Sequence, residues 1–354
     1  MSKLPSEQVA LLADGVGGVV ISSSTAVPNI NDNEVLIQTK AVALNPVDVK
    51  SVEAFNYPGT LVGFDFAGIV VDIGAQARER FVLGDRVCGS AHGMNPLDPA
   101  TGAFAEYVKA TTHTTMKIPD SMSFEEASTM ATGVGAIGLV LKSLGIAQFF
   151  LENPRPKPFV VLVSGGSSAS GTLAIQMLKS CGLKVITTCS PANFDLVRSR
   201  GAEEVFNYHS DECAQDIKKH TRNGLSYVVD CISTLDSMTL CYEVIGRLGG
   251  TYVALEPPSV TVMKSRPTIK ADWIFQPSLF GKKVGWEEPY ARAEDPELCQ
   301  FGQEIYHRAQ DLINDGRLKP HPAAVKDGGI PAVVEGFEIL KAGSISGEKL
   351  VYRI

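Results

Sequence analysis

The segment from Phe159 to Phe194 constrains the fold more than any other part of the chain. An apolar run ends at Gly165 and Gly166, small polar residues follow, and a helical period leads into a second apolar run. From Pro158 to about Pro257, short apolar runs keep alternating with helical periods. Continuous apolar runs are typical of parallel strands that are covered by helices on both faces. This region therefore predicts a doubly wound α/β domain.

The remaining pattern predicts a second, β-rich domain formed by both ends of the chain. Short β-branched runs cover Glu34–Leu44 and Phe66–Gly74, and Ser123 with Glu126 forms a capping-box pattern at a helix start. After Trp286 an amphipathic helix and a closing strand return to this domain. The predicted domains are 1–125 plus 285–354, and 126–284. In the α/β region the predicted strands are Phe159–Val163, Lys184–Thr188, Glu204–Phe206, Tyr227–Cys231 and Gly250–Leu255, and the predicted helices include Ser170–Cys181 and Asn193–Arg200.

Composition argues against several classes of partner. The net charge is −7 and the Lys and Arg residues are scattered, which indicates neither a nucleic-acid partner nor a membrane surface. No apolar run reaches the roughly 18 residues of a membrane span. The seven cysteines contain no C-x-x-C pair, which is typical of reduced thiols. We therefore expect a cytoplasmic location.

The glycine turn has the composition of a dinucleotide phosphate site. Glycines let the backbone approach a pyrophosphate, and the N–H groups at the start of the following helix favour the anion. Hydroxyls of Ser167, Ser168 and Ser170 add donors. NAD-binding versions of this turn end the next strand with an acid, whereas here Ser190 and Asn193 follow the strand. We therefore predict NADPH over NADH as the cofactor.

Two side chains near the predicted nucleotide have alternative interpretations. Arg198 is a possible cation for a 2′-phosphate or part of a solvated helix face. Tyr208 either lies over the adenine or is an ordinary half-buried tyrosine.

Several separated segments resemble the medium-chain dehydrogenase/reductase superfamily: Leu44–Lys50, Gly63–Gly74, Gly84–Gly89, Gly102–Val108 and the closing "SGEKLVYRI". Within it, Thr187–Tyr208 and Ala271–Gly281 resemble the fungal trans-acting enoyl reductases that serve polyketide synthases. The resemblance implies a Rossmann sheet inserted in a GroES-like catalytic domain. It also implies NADPH-dependent reduction of an α,β-unsaturated polyketide thioester. The partner would be the acyl carrier protein of a polyketide synthase with its bound enoyl substrate, in secondary metabolite biosynthesis.

The zinc enzymes of this superfamily carry a G-H-E-x-x-G motif, which falls on Gly63–Gly68 here. Phe64 occupies the histidine position and cannot bind a metal. Cys88 and His92 are close in sequence, but two ligands do not make a four-coordinate site. We therefore predict no zinc, and expect hydride transfer to an acceptor that is already electron-poor.

The resemblance also implies site residues. Lys50 and Tyr57 are the predicted catalytic residues. Lys50 is otherwise a surface lysine paired with Asp48 or a neighbour, and Tyr57 otherwise a packing residue. The predicted cofactor contacts, among which Lys50 is included again, are Val47, Asp48, Val49, Lys50, Ser167, Ser168, Ala169, Ser170, Ser190, Pro191, Ala192, Asn193, Tyr208, Leu255, Glu256, Val351 and Tyr352. The predicted substrate contacts are Thr132, Gly133, Gly135, Ala136, Phe275, Gln276, Pro277, Ser278 and Leu279.

Alternatives stay open at this point. The glycines from Gly133 either leave room for an acyl chain and its phosphopantetheine arm or allow close helix packing. Glu256 either accepts from the nicotinamide amide or is a solvated loop acid. For the whole chain, the alternatives are a zinc-free quinone or enone reductase of free small molecules, and an NADPH-binding protein without catalysis.

Overall fold

The computed structural model describes residues 4–354, which divide into two compact units. The first unit contains residues up to Thr132 together with Pro277–Asp315 and Pro320–Ile354. The second contains Gly133–Gln276 and Gly316–Lys319. The sequence pattern places the corresponding boundaries at 126 and 284.

The first unit is built on strands that pair antiparallel, apart from Ala323–Lys326, which pairs parallel with Lys349–Arg353. Its strands are β1 (Glu7–Ala13), β2 (Val19–Ala26), β3 (Glu34–Ala43), β4 (Asp65–Ile73), β5 (Arg86–Ser90), β6 (Tyr107–Thr111), β7 (Thr115–Lys117), β14 (Ala323–Lys326) and β15 (Lys349–Arg353). Its helices are α1 (Pro46–Ala54), α2 (Phe124–Ala127), α10 (Pro296–Asn314) and α11 (Gly329–Lys341), and α3 (Ala131–Ser143) begins in it and continues into the second unit.

Strand β3 organises the main sheet of this unit. The sheet has the order β14-β15-β3-β4-β5-β7, with β6 also paired to β3, while β1 and β2 form a separate two-stranded sheet. Strand β3 is buried along most of its length and pairs with β15, β4 and β6. The predicted strands over Glu34–Leu44 and Phe66–Gly74 are confirmed. The predicted closing strand is also confirmed: it is β15, which pairs with β3.

The second unit is the predicted doubly wound α/β domain. Its strands are β8 (Val160–Ser164), β9 (Lys184–Cys189), β10 (Glu204–Asn207), β11 (Tyr227–Asp230), β12 (Gly250–Ala254) and β13 (Ile269–Trp273). Its helices are α4 (Ala147–Leu151), α5 (Ala169–Ser180), α6 (Phe194–Ser199), α7 (Cys213–His220), α8 (Leu235–Val244) and α9 (Val260–Ser265). All five predicted strands and both predicted helices are confirmed, with ends shifted by a residue.

The six strands of the second unit are parallel, in the order β10-β9-β8-β11-β12-β13. Leu162, Ile186, Val228 and Tyr252 come from four of them and belong to one buried core cluster. The sequence pattern missed edge strand β13, since Lys270 and Asp272 interrupt its apolar character. The order brings the ends of β8, β9, β11 and β12 to one edge, where sheets of this type bind ligands.

Among residues 4–354, no helix is both long enough and apolar enough to cross a lipid bilayer.

Candidate active site

The glycine turn between β8 and α5 has the geometry of a phosphate-binding turn. Gly165 has a φ of +76°, a conformation that side chains rarely tolerate. Ser168 caps α5: its hydroxyl accepts from the Gly171 N–H at 3.0 Å and donates to the Gly165 carbonyl at 2.8 Å. The first N–H groups of a helix have no acceptor within it, so this turn presents donors to an external anion.

Two further glycines bring helix and strands into close contact. A Cβ on Gly166 would lie 2.0 Å from the hydroxyl oxygen of Thr187, and one on Gly171 would lie 2.2 Å from the Gly165 carbonyl oxygen. Thr187 is itself fixed, because its hydroxyl donates to the Val163 carbonyl at 2.6 Å. No side chain fits at either position, so both glycines are needed for the start of α5 to pack this closely on the strand ends. These residues fit the pyrophosphate of a dinucleotide.

The end of β9 carries small polar groups where NAD enzymes carry an acid. The Asn193 amide nitrogen donates to the Ser190 hydroxyl at 3.2 Å, and Pro191 and Ala192 are exposed. Arg198 lies over the Phe194 ring at 5.4 Å. Tyr208, 49% exposed, contacts the His209 ring. The nucleotide assignments of these residues stay predictions.

A buried carboxylate that sequence reasoning missed organises the ends of β11 and β12. Asp230 accepts from the N–H groups of Ile232 and Ser233, each at 3.0 Å. It also accepts from the hydroxyls of Ser237 and Tyr252, each at 2.8 Å. This carboxylate therefore fixes the loop at the carboxyl edge of the sheet.

That loop positions two predicted cofactor contacts. The Ser233 hydroxyl accepts from the Leu255 N–H at 2.9 Å. Glu256 follows, and with Ser233 it lines a cavity of about 170 Å³. The only sequence signal for this arrangement is the acid at the end of a strand.

In the first unit, Asp65 is the centre of a buried polar network. One carboxylate oxygen accepts from the Thr132 N–H at 2.8 Å. The other accepts from the Asn45 amide at 2.8 Å and from the Lys349 ammonium at 2.6 Å. Asp65 is fully buried and Lys349 is 5% exposed. We call Asp65, Asn45, Thr132 and Lys349 the Asp65 network.

The Asp65 network joins three segments that carry predicted site residues. Asn45 precedes α1, which contains Val47, Asp48, Val49 and the exposed Lys50. Thr132 is itself a predicted substrate contact, and its hydroxyl lies 3.1 Å from that of Ser90. Lys349 begins β15, in which Val351 and Tyr352 are buried. One carboxylate therefore sets the relative positions of all three.

Asp48 lies next to this network with an unusual carboxyl group. It is fully buried, one oxygen accepts from the Asn45 N–H at 2.6 Å, and the other has no hydrogen-bond partner among the described residues. Burial, with a smaller contribution from the charge of Asp65, raises the pKa of Asp48 to about 8. Asp48 is therefore largely protonated at neutral pH.

The donor set of this unit does not suit zinc. Phe64 is buried at the expected histidine position. Cys88 is buried, but one thiol does not make a four-coordinate site. The Asp65 carboxylate already holds the Lys349 ammonium. Among residues 4–354 no three His, Cys, Asp or Glu side chains form a metal-binding group.

Tyr57 lies in an aromatic cluster. Its hydroxyl donates to the Gly285 carbonyl at 3.3 Å, and its ring is stacked on Phe55. Burial and the charge of Glu287 raise the pKa of Tyr57, so the phenol keeps its proton. A packing role and the predicted proton-donor role are both consistent with this placement.

The predicted substrate contacts are divided between the two units. Gly133 lies against Leu173, because a Cβ there would be 2.5 Å from Leu173 Cδ1. Gly135 and Ala136 are also buried in α3. Phe275 and Gln276 belong to the second unit, and Pro277, Ser278 and Leu279 to the first. Close packing accounts for Gly133, and the substrate role of the set stays a prediction.

Comparisons with known proteins agree on fold and family. The family model described as the alcohol dehydrogenase GroES-like domain matches residues 31–120, and that described as zinc-binding dehydrogenase matches residues 169–288. The trans-enoyl reductase buaC of Petromyces alliaceus is 47% identical over 349 residues, covering 99% of this chain and 98% of that protein. The trans-enoyl reductase fsa3 of Fusarium sp. is 46% identical over 352 residues, covering 98% and 99%.

Solved structures share the fold at lower identity. The quinone oxidoreductase from Coxiella burnetii has a TM-score of 0.72 at 24% identity, covering 98% of this chain and 99% of that one. The CurK enoyl reductase has a TM-score of 0.75 at 20% identity, with the same coverage. This fold binds a nicotinamide cofactor, which agrees with the glycine turn.

The buried ion pair predicts a large effect of removing one partner. Lys349→Met leaves the Asp65 charge buried without its counter-ion, which costs about 3–5 kcal/mol of unfolding free energy. The double variant Asp65→Asn/Lys349→Gln removes both charges and recovers part of this loss. The measurement is thermal unfolding followed by circular dichroism. As a control, Lys179→Met breaks the half-exposed pair with Glu203 and costs less than about 1 kcal/mol. Equal losses in the two lysine variants would contradict the role of Lys349.

The raised pKa of Asp48 predicts that the free energy of unfolding depends on pH. Its pKa in the folded chain, about 8, lies above the ordinary value of 3.8, so the folded state binds a proton that the unfolded state releases as pH rises. The contribution of Asp48 is fully present below pH 3.8 and is lost by pH 8, with a slope of at most about 1.4 kcal/mol per pH unit. Asp48→Asn keeps an acceptor for the Asn45 N–H and removes the titration. Between pH 5 and about pH 8 the Tm of the variant should therefore rise relative to that of the wild type; a constant difference would refute the shift.

Proposed function

We propose that this chain, which belongs to the trans-enoyl reductases of the medium-chain dehydrogenase/reductase superfamily, uses NADPH to reduce the α,β double bond of a polyketide thioester. One observation carries the proposal: the first unit has a buried Lys349–Asp65 pair and Phe64 in the region of the zinc motif. Without a Lewis acid to polarise a simple ketone, the acceptor must already be electron-poor. An enoyl thioester meets that requirement.

The residues of the second unit have the chemistry to hold the cofactor. The turn of Ser167, Ser168, Ala169 and Ser170 would take the pyrophosphate. Ser190 and Asn193, which follow β9 where NAD-binding enzymes carry an acid, would hold a 2′-phosphate that a carboxylate at that position would repel. When bound, the nicotinamide supplies a hydride to the β carbon of the alkene.

The first unit supplies donors for the negative charge that develops on the thioester oxygen. The Thr132 backbone is fixed by Asp65, and its hydroxyl lies at hydrogen-bond distance from that of Ser90. Lys50 is exposed on α1, and Tyr57 keeps its proton. The side chains of Thr132, Lys50 and Tyr57 are our candidates for stabilising the enolate oxygen and for protonating the α carbon.

The acyl group would arrive on the acyl carrier domain of a polyketide synthase in secondary metabolism. We place the enzyme in the cytoplasm, since all seven cysteines are free and most are buried.

An assay of NADPH oxidation tests the function. The purified chain should oxidise NADPH with an α,β-unsaturated acyl thioester and not with quinones. Turnover of quinones alone would replace the proposal with a small-molecule reductase. Tight NADPH binding with no turnover on any acceptor would indicate a non-catalytic binding protein.

The end of β9 predicts the cofactor preference. Ser190→Asp places a carboxylate near the 2′-phosphate, so we expect kcat/KM for NADPH to fall at least about tenfold while that for NADH stays the same or rises. Ser190→Ala is the control, and in this variant kcat/KM for NADPH should fall only a few fold. The ratio of the two kcat/KM values is the readout; a wild type that prefers NADH, or a ratio unchanged in Ser190→Asp, would refute the assignment.

A further inference from the structure

The first unit contains a pair of buried hydroxyl groups, those of Ser90 and Thr132. Their oxygens lie 3.1 Å apart, and either hydroxyl can donate to the other. Ser90 is fully buried at the end of β5, and Thr132, in the first turn of α3, is 8% exposed. A hydroxyl both donates and accepts, so one proton can leave such a pair at one oxygen while another proton enters at the second oxygen. The pair therefore has the chemistry of a proton relay.

The main chain of both residues is anchored by strand β4. The Thr132 N–H donates to the carboxylate of Asp65, on β4, at 2.8 Å. Ser90 lies directly opposite Asp65 in the antiparallel pairing of β4 with β5, and the Ser90 carbonyl accepts from the Thr114 hydroxyl at 3.1 Å. These contacts fix the backbone on both sides of the hydroxyl pair. They therefore keep the two oxygens within hydrogen-bond distance of each other.

Ser90 lines a cavity that can hold water. The cavity volume is about 330 Å³, whereas one water molecule takes up roughly 30 Å³ of the liquid. His92 and Asn95 line the same cavity. The buried Nε2 atom of His92 has no hydrogen-bond partner among residues 4–354. Asn95 uses its oxygen to accept the Leu97 N–H at 3.0 Å, which leaves its two amide hydrogens. Water bound to these groups is a source of protons next to Ser90.

Tyr57, another candidate for the proton donor, has no such supply of protons in the structure. Its hydroxyl donates to the Gly285 carbonyl at 3.3 Å, and a carbonyl carries no proton that could replace the one the phenol loses. Proton donation would therefore leave a phenolate. Burial and the charge of Glu287 raise the pKa of Tyr57, which disfavours that phenolate. The contacts of Thr132 suit repeated proton donation better than those of Tyr57.

We propose that Thr132 and Ser90 form a proton relay that carries a proton from water to the α carbon of the substrate. The inference rests on the proposed function, in which hydride addition at the β carbon leaves an enolate. The α carbon takes the Thr132 hydroxyl proton, Thr132 takes the Ser90 hydroxyl proton, and Ser90 takes a proton from water. Both hydroxyls are restored, and the hydroxide that remains is neutralised by the solvent. An enolate is a stronger base than hydroxide, so the whole transfer is favourable.

Steady-state kinetics of hydroxyl-deletion variants test the relay. Ser90→Ala should lower kcat at least about tenfold, and it should change KM less than about twofold because Ser90 is not a proposed substrate contact. Thr132→Val keeps the side-chain shape without the hydroxyl and should lower kcat about 100-fold, whereas Thr132→Ser should restore much of that loss. Thr39→Val is the matched control and should keep the wild-type kcat. Thr39 is a buried residue of β3, and its hydroxyl has no partner among residues 4–354.

Isotope effects separate a relay from a purely structural role of Ser90. Breaking the relay slows proton transfer and leaves hydride transfer as it was. In Ser90→Ala the solvent deuterium isotope effect on kcat should therefore rise, and the isotope effect of deuterated NADPH should fall, relative to the wild type. A lower kcat with both isotope effects unchanged means that Ser90 only positions Thr132, and it overturns the relay, as does an unchanged kcat. If Ser90→Ala does not fold, Ser90→Cys replaces it, since a thiol is a weak hydrogen-bond donor.

The choice of acceptor separates this inference from the proposed function. All measurements are made with an α,β-unsaturated acyl thioester and with a free enone, because both acceptors need a hydride at the β carbon and a proton at the α carbon. A wild type that reduces only the enone refutes the proposed function, while the isotope effects on the enone still decide whether the relay exists. A wild type that reduces neither acceptor refutes both.

Discussion

The buried pair of Asp65 and Lys349 is the interaction on which the rest of the first unit depends. Two charges removed from water carry a desolvation cost that their mutual attraction offsets only with good geometry and further hydrogen bonds. Asp65 has both: the ammonium at 2.6 Å, and donors from Asn45 and Thr132 at 2.8 Å. The pair therefore specifies one arrangement of three chain segments, and those segments carry the candidate catalytic groups.

In the second unit, glycines allow the close contact between helix and strands on which the predicted phosphate site depends. Gly166 and Gly171 leave no room for a Cβ against Thr187 and the Gly165 carbonyl, so α5 starts close to the ends of β8 and β9. At the neighbouring strand ends, Asp230 ties the loop that carries Leu255. A turn of backbone donors and a fixed loop edge are what a dinucleotide site needs, and contacts within the second unit form both.

The sequence predicted the features that depend on neighbouring residues. The glycine turn, the parallel strands and the missing zinc ligand at Phe64 are all contained in short stretches. The Asp65 network was not predicted, because its members lie at positions 45, 65, 132 and 349 and only the folded chain brings them together. Asp48 was assigned to the cofactor from its motif alone; its burial, which raises the pKa of the carboxyl, depends on packing around α1. Strand β13 was missed because Lys270 and Asp272 hide a strand at a sheet edge.

The separation of Asp65 and Lys349 by 284 residues has a consequence for biosynthesis. Nearly all of the second unit is one continuous stretch between them, so the ribosome completes it while Asp65 still lacks its counter-ion. The nascent β-rich part must keep that carboxylate hydrated until the final strand emerges. Maturation thus has an order: the α/β part can fold during translation, and the β-rich part closes last.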